Sequence, residues 1–197
     1  MADESWRRMA SKAIQMVFVV LNAIGLIGVI ICCALPEWLV RHNDDDSETH
    51  QGLWKECVKH RTGLQECRTH DDSRLSNEIH AFRNFTIISC MLGILSLLFL
   101  IFGSDFTPCV QNQDTKPKMI LAAGVGLILA GLLVIIPVSC FSNNFRNAPK
   151  TVKLGMCTYI GFITGLMLML IGGLLCYLIR SGSRSSGGAA IFFSNRA

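Results

Sequence analysis

The chain has 197 residues, of which 51% are hydrophobic and 16% are charged, and its formal net charge is +4. Soluble globular domains carry about 25% charged residues, so this composition excludes an ordinary soluble protein and favours one that lies in a membrane. We expect the lipid bilayer to be a partner of the chain, and we expect no nucleic-acid partner.

Four long apolar segments follow one another along the chain, each close to the roughly 20 residues that an α-helix needs to cross hydrocarbon. They occupy about residues 13–35, 85–103, 119–139 and 155–179. The first is longer than the roughly 7 to 15 apolar residues of a cleaved signal peptide, and no A-x-A-like site closes it. The sequence therefore predicts an integral membrane α-helical protein with four transmembrane helices.

These segments divide the remainder into an N-terminus (1–12), three loops (36–84, 104–118 and 140–154) and a Ser- and Gly-rich tail (180–197) that has the composition of a flexible linker. An even number of crossings places both termini on one side of the membrane. Lys and Arg are nearly balanced between the two sides, so the positive-inside rule does not decide the orientation. The net charge is more positive on the side of the termini, which modestly favours cytoplasmic termini.

Two of the nine cysteines, Cys57 and Cys67, form the only pair in a polar loop. Disulfides persist in oxidising compartments, so a bond between these cysteines would place the first loop outside the cell. The alternative is a pair of free thiols in a cytosolic loop.

The segment between these cysteines, VKHRTGLQE, is typical of a β-hairpin. Arg61-Thr62-Gly63 matches a three-residue loop that ends in a left-handed residue, a position that favours glycine. If Cys57 faces Cys67, the register also pairs other residues across the strands. The predicted pairs are Lys59 with Gln65, Val58 with Glu66, Glu56 with Arg68, and Trp54 with His70.

A wider motif surrounds the two cysteines. Trp38 follows the first apolar segment, Gly52-Leu53-Trp54 precedes Cys57, and Cys67 completes a W-GLW-C-C pattern. This pattern resembles the signature of the claudins and their peripheral myelin protein relatives, and similarity in the same order extends over about residues 12–179. The resemblance implies a left-handed four-helix bundle with a small extracellular antiparallel β-sheet, in which the disulfide joins two adjacent strands.

Three residues around the motif have roles that the resemblance suggests. Arg83 stands at the outer mouth of the second helix, where it resembles the family's boundary arginine and could bond loop carbonyls to tie the sheet to the bundle. Trp38 and Trp54 are predicted to be interfacial aromatic residues that seat the sheet against the membrane surface.

The predicted helices carry no charged residue away from their ends, although intramembrane ionisable residues are usually functional. Their polar residues are small enough to bond helix carbonyls or to pair across helices; they are Asn22, Thr86, Ser89, Ser96, Thr158 and Thr164. No C-x-x-C pair indicates disulfide exchange, and the five histidines are not expected to converge on a metal. The sequence predicts neither an enzyme nor a cofactor.

The resemblance instead implies a protein at tight junctions of the plasma membrane, which polymerises side by side and from cell to cell to form a barrier or charge-selective pores. Family members place selectivity charges just after the two cysteines, so Lys59, His60 and Arg68 favour a barrier or a weak anion preference. Glu56 and Glu66 belong to the same hairpin, and Glu56 would partly neutralise Arg68. The alternative is an auxiliary or adhesive subunit that binds a partner in its own membrane.

The second loop and the C-terminus depart from the family pattern. An alanine separates Asn147 from Pro149 in the aromatic-Asn-Pro turn that starts at Phe145, so cell-to-cell contact is expected there without a defined partner. The chain ends in FFSNRA instead of Tyr-Val, which makes binding to a PDZ scaffold doubtful. Cys109 and Cys176 are candidates for S-palmitoylation, with plain reduced thiols as the alternative.

Overall fold

A computed structural model describes residues 2–43, 47–60, 62–70, 77–104, 115–146 and 152–184 of the chain. Four helices, α1 to α4, and five strands, β1 to β5, make up these residues. The helices are Ala2–Ala34 (α1), Asn77–Gly103 (α2), Lys116–Arg146 (α3) and Met156–Arg184 (α4), and the strands are Leu39–His42 (β1), Glu48–Gln51 (β2), Lys55–Lys59 (β3), Gln65–Thr69 (β4) and Val152–Leu154 (β5).

All four helices are long and apolar enough to cross a membrane, over Lys12–Ala34, Ile79–Gly103, Lys116–Cys140 and Met156–Ser181. The shortest helix has 27 residues, which is roughly 40 Å at 1.5 Å per residue, against about 30 Å of hydrocarbon. Each helix is therefore long enough to cross the hydrocarbon and to extend beyond it.

The helices extend beyond the predicted apolar segments at several ends. Helix α1 begins at Ala2 inside the predicted N-terminus, α3 continues to Arg146 inside the predicted second loop, and α4 continues to Arg184 inside the predicted tail. Hydropathy identifies only the apolar residues that can lie in hydrocarbon. Backbone hydrogen bonds can extend the helix into polar residues beyond them, until a helix-breaking residue ends it. Pro36, two residues beyond α1, illustrates a stop that the sequence does contain.

The bundle is cyclic, because α1 packs on α2 and α4, and α3 packs on the same two helices. Between 28% and 39% of each span is buried, so most of its surface is apolar and faces outward, as a bilayer requires. Helices α3 and α4 approach closely through glycines: a Cβ on Gly131 would lie 2.6 Å from the Gly165 carbonyl oxygen. Small residues at such a contact are typical of membrane helices.

Three of the six predicted intramembrane polar residues, Thr86, Ser89 and Thr164, bond a helix carbonyl. Thr86 donates to Phe82 O at 2.9 Å, and Ser89 crosses from α2 to Ala130 O of α3 at 2.8 Å. Asn22 differs from the prediction, because within the described residues its fully buried amide has no hydrogen-bond partner. A helix carbonyl can accept from an amide N–H, but the helix interior has no free N–H for the amide oxygen, whereas a hydroxyl needs only to donate to the carbonyl one turn back.

The five strands form one sheet in the order β4-β3-β2-β1-β5, and every neighbouring pair is antiparallel. Strands β1 to β4 come from the first loop, and β5 comes from the second loop, where the sequence predicts no strand. Its three residues are too few for an alternating pattern to identify a strand. Strand β5, which directly precedes α4, therefore forms the edge of the sheet beside β1.

Candidate functional site

A disulfide joins Cys57 of β3 to Cys67 of β4. The strands pair Glu56 with Arg68 and Val58 with Glu66, in the register that the sequence predicts. Hydrogen bonds from His60 N to Leu64 O and from His70 N to Trp54 O place the hydrogen-bonded pairs at even positions of β3. The cysteines therefore occupy a non-hydrogen-bonded pair, where side chains of facing strands are closest.

The hairpin turns at Gly63, whose φ of 82° is in the left-handed region. Gly63 N donates to His60 O at 2.9 Å, and His60 N donates to Leu64 O at 2.9 Å. This is the three-residue loop predicted from the sequence. Glycine takes this backbone conformation without the steric cost that a Cβ would add.

Trp38, a buried residue directly before β1, attaches the sheet to helix α1. Its indole N–H donates to Cys32 O at 2.8 Å, and only 1% of its surface is exposed. Trp38 is therefore enclosed by the protein, and its expected place at the level of the membrane surface stays a prediction. A tryptophan that finds a carbonyl for its N–H can be buried completely, and here that carbonyl lies in the last turn of α1.

Arg83 of α2 makes a second attachment. Its Nε donates to Leu53 O at 2.7 Å, and its guanidinium lies 4.8 Å from the centre of the Trp54 ring. Leu53 is fully buried and Arg83 is 7% exposed. A Cβ on Gly52 would collide with the backbone of Pro36, so the Gly-Leu-Trp segment passes directly over the end of α1.

A third attachment joins the start of α4 to the residues before β1, and sequence reasoning missed it. Gly155 N and the Thr158 hydroxyl both donate to Trp38 O, at 3.0 and 2.9 Å, and Cys157 N donates to Glu37 O at 3.1 Å. The only advance signal was Thr158, a polar residue in an apolar segment. Three helices thus hold the sheet in one orientation.

Side chains of a strand alternate between the two faces, so the register separates the charged residues predicted to act together. We define the arginine face as the side that carries Arg41, Glu56, Glu66 and Arg68, and the lysine face as the side that carries Lys55, Lys59, Lys153, Glu48 and the disulfide. Lys59 therefore points away from Glu56, Glu66 and Arg68, and His60 lies beyond the end of β3. Arg41 is a charged residue of this surface that the sequence did not single out.

The lysine face holds two histidines near one carboxylate. Glu48 Oε1 lies 3.2 Å from His42 Nδ1, and Glu48 Oε2 lies 3.7 Å from His50 Nε2. In the described parts of the chain, no group of three or more His, Cys, Asp or Glu side chains is placed to hold a metal ion.

The remaining predicted residues lie elsewhere. Phe145 is in the last turn of α3, and Asn147, Pro149 and Cys109 are outside the described residues. Cys176 is half-buried near the end of α4, where a Cβ on Gly124 would lie 2.8 Å from its sulfur. The second-loop contact and the two acylation sites therefore stay predictions.

Comparison with known proteins agrees with this architecture. Residues 12–176 match the model of the PMP-22/EMP/MP20/Claudin family. Claudin-4 of Chlorocebus aethiops is 36% identical over 182 residues, which covers 85% of this chain and 87% of that protein. Claudin-6 of Homo sapiens is 31% identical (88% of this chain and 86% of that protein), and Claudin-3 of Homo sapiens is 33% identical (84% and 82%). The chain therefore belongs to the PMP-22/EMP/MP20/Claudin family.

Proposed function

We propose that this protein is a tight-junction component of the plasma membrane, with both termini in the cytoplasm and the five-stranded sheet outside the cell. The single observation that carries the proposal is a disulfide-stapled sheet held rigidly on a four-helix bundle in a member of the claudin family. The disulfide supports the orientation, because such bonds persist in oxidising spaces.

In this role the sheet contacts related molecules in the same membrane and in the membrane of the next cell. Such contacts need a surface with a fixed direction, and the buried bonds of Trp38 and Arg83 supply it. Polymers of this kind seal the gap between cells or leave a narrow path in which charges on the wall select ions. The role is structural, and no catalytic step is assigned to the chain.

Expression in epithelial cells that make no junction strands of their own tests the proposal. We expect strands at cell contacts in freeze-fracture images and a higher transepithelial resistance. A C57S/C67S variant is the matched control, because it removes only the bond between β3 and β4. It should reach the surface, as measured by surface biotinylation, and form few strands.

Wild-type protein that reaches the contacts and forms no strands contradicts the junction proposal. It would favour the alternative of an auxiliary subunit, which capture of a partner from the same membrane by crosslinking would support.

A further inference from the structure

The charges on the arginine face are not equivalent. Arg68 of β4 lies directly opposite Glu56 of β3, and Glu66 is two residues away on the same strand and the same face. Facing residues of antiparallel strands have Cβ atoms about 4.5 to 5.5 Å apart. Arg68 therefore has one carboxylate at this distance and a second about 7 Å along its own strand.

Among the described residues of its face, Arg41 has no carboxylate so close to it. Its partners in register are Thr49 of β2 and Val152 of β5. Leu39 is on the same face of β1, and Asn43 follows the end of β1. All four are uncharged. Asn43 bonds Thr49 Oγ1 at 3.0 Å, so the polar side chains beside Arg41 are engaged with each other.

The distance from Arg41 to the described carboxylates of its face follows from the strand order. Glu56 is two strands away and Glu66 three strands away, which is roughly 10 to 14 Å at about 4.8 Å per strand. The Debye length in physiological salt is about 8 Å, so these carboxylates are largely screened from Arg41. Arg68 is within the screening length of both.

On the lysine face, Lys59 of β3 has a carboxylate opposite it, whereas Lys55, at the start of the same strand, faces Thr69. Glu48 lies opposite Lys59 in the register and contacts His42 and His50. The side chains of His42, Glu48 and His50 are partly buried, whereas Arg41 is exposed. Lys55 is the first residue of β3, and Lys153 is on the edge strand β5.

We propose that Arg41, and not Arg68, sets the ion preference of the paracellular path, and that the preferred ions are anions. This inference rests on the proposed junction function. Arg41 supplies an exposed positive charge on a central strand of the sheet, while Arg68 is offset by Glu56 and Glu66. The arginine face is then the wall along which ions pass.

Dilution potentials across monolayers that express each variant test this inference, with the permeability ratio of chloride to sodium as the readout. R41Q should lower the ratio by up to about fivefold, the Boltzmann factor for two unit charges about 4 Å apart in water. R68Q should change it by less than about twofold. E56Q should raise it, because this variant leaves Arg68 less compensated.

Two further variants serve as matched controls. K153Q removes an exposed charge from the opposite face of the neighbouring strand and should leave the ratio unchanged. Asp44, Asp45 and Asp46 follow β1, outside the described residues, so R41Q is also measured in a D44N/D45N/D46N background, where it should still lower the ratio.

The outcomes separate this inference from the junction proposal. Absence of strands contradicts the junction proposal itself. Strands with no anion preference in the wild type, an R68Q or K153Q effect as large as that of R41Q, or loss of the R41Q effect in the triple-asparagine background overturns the role of Arg41. Strand images and surface biotinylation of each variant exclude poor delivery as the cause.

Discussion

Single side chains decide how the sheet is attached to the membrane helices. Arg83 illustrates the physics: its Nε bonds a carbonyl of a fully buried leucine while its guanidinium lies over Trp54. A carbonyl buried without a partner costs about 1–3 kcal/mol, so removal of the donor costs more than a surface contact would.

The substitution R83A should destabilise the protein by about 2–4 kcal/mol, because it leaves Leu53 O unpaired and removes a cation–π contact. R83K should fall between R83A and the wild type, since an ammonium cannot present the planar fork of arginine. Thermal unfolding in detergent micelles measures both. R68A, at an exposed position, is the control and should melt with the wild type. An R83A protein that also melts with the wild type would contradict the anchoring role.

At the scale of elements, the β3–β4 hairpin is specified locally. The two cysteines, the glycine at the turn and the register agree with one another, which makes a one-residue slip unfavourable on several counts. Strand β5 is the opposite case: its pairing with β1 depends on the position of α4, which three bonds to Glu37 and Trp38 establish.

Gly63 provides a clean test of the hairpin, because no atom lies within 4 Å of the position that its Cβ would occupy. G63A should therefore cost only the backbone term of a left-handed residue, about 1 kcal/mol, and G63N should cost less. Amide hydrogen exchange of β3 and β4 should become faster in G63A, while exchange in α3 stays unchanged. Equal protection in G63A and the wild type would mean that the turn does not limit hairpin opening.

At the scale of the whole molecule, the most extensive helix contact is the seam between α3 and α4, which we define by the facing glycines of these two helices. In this seam Gly131 lies against Gly165 and Gly124 against Gly172. Which glycine faces which depends on the rotation and offset of the two helices, so the sequence alone does not indicate these pairs.

Two glycine substitutions test the seam as a matched pair. A Cβ at position 131 would meet Gly165 O at 2.6 Å, so G131A should destabilise the bundle by about 1–3 kcal/mol through overpacking. A Cβ at position 173 meets nothing within 4 Å, so G173A should be neutral or stabilising by up to about 1 kcal/mol. The measurement is the melting temperature in detergent. Equal melting temperatures for the two variants would show that the contact between Gly131 and Gly165 does not limit the stability of the bundle.

The sequence by itself predicted four transmembrane helices, a disulfide with free thiols as its alternative, and the hairpin register that follows if the disulfide forms. These features follow from local quantities: about 20 apolar residues in a row, a cysteine pair in a polar loop, and the alternation of side chains along a strand. The Gly-Leu-Trp motif and Arg83 were also visible before any fold was known, although the motif does not say which atoms bond.

The tertiary structure alone decided the burial of Trp38, the addition of β5, the bonds between α4 and the sheet, and the separation of Lys59 from Arg68 onto opposite faces. Each depends on segments that are distant in the sequence, and their contact is set by how helices and strands pack in three dimensions. The position of Arg41 on the same face as Arg68 is the functional consequence. It requires the register across four strands, which no short stretch of the sequence contains.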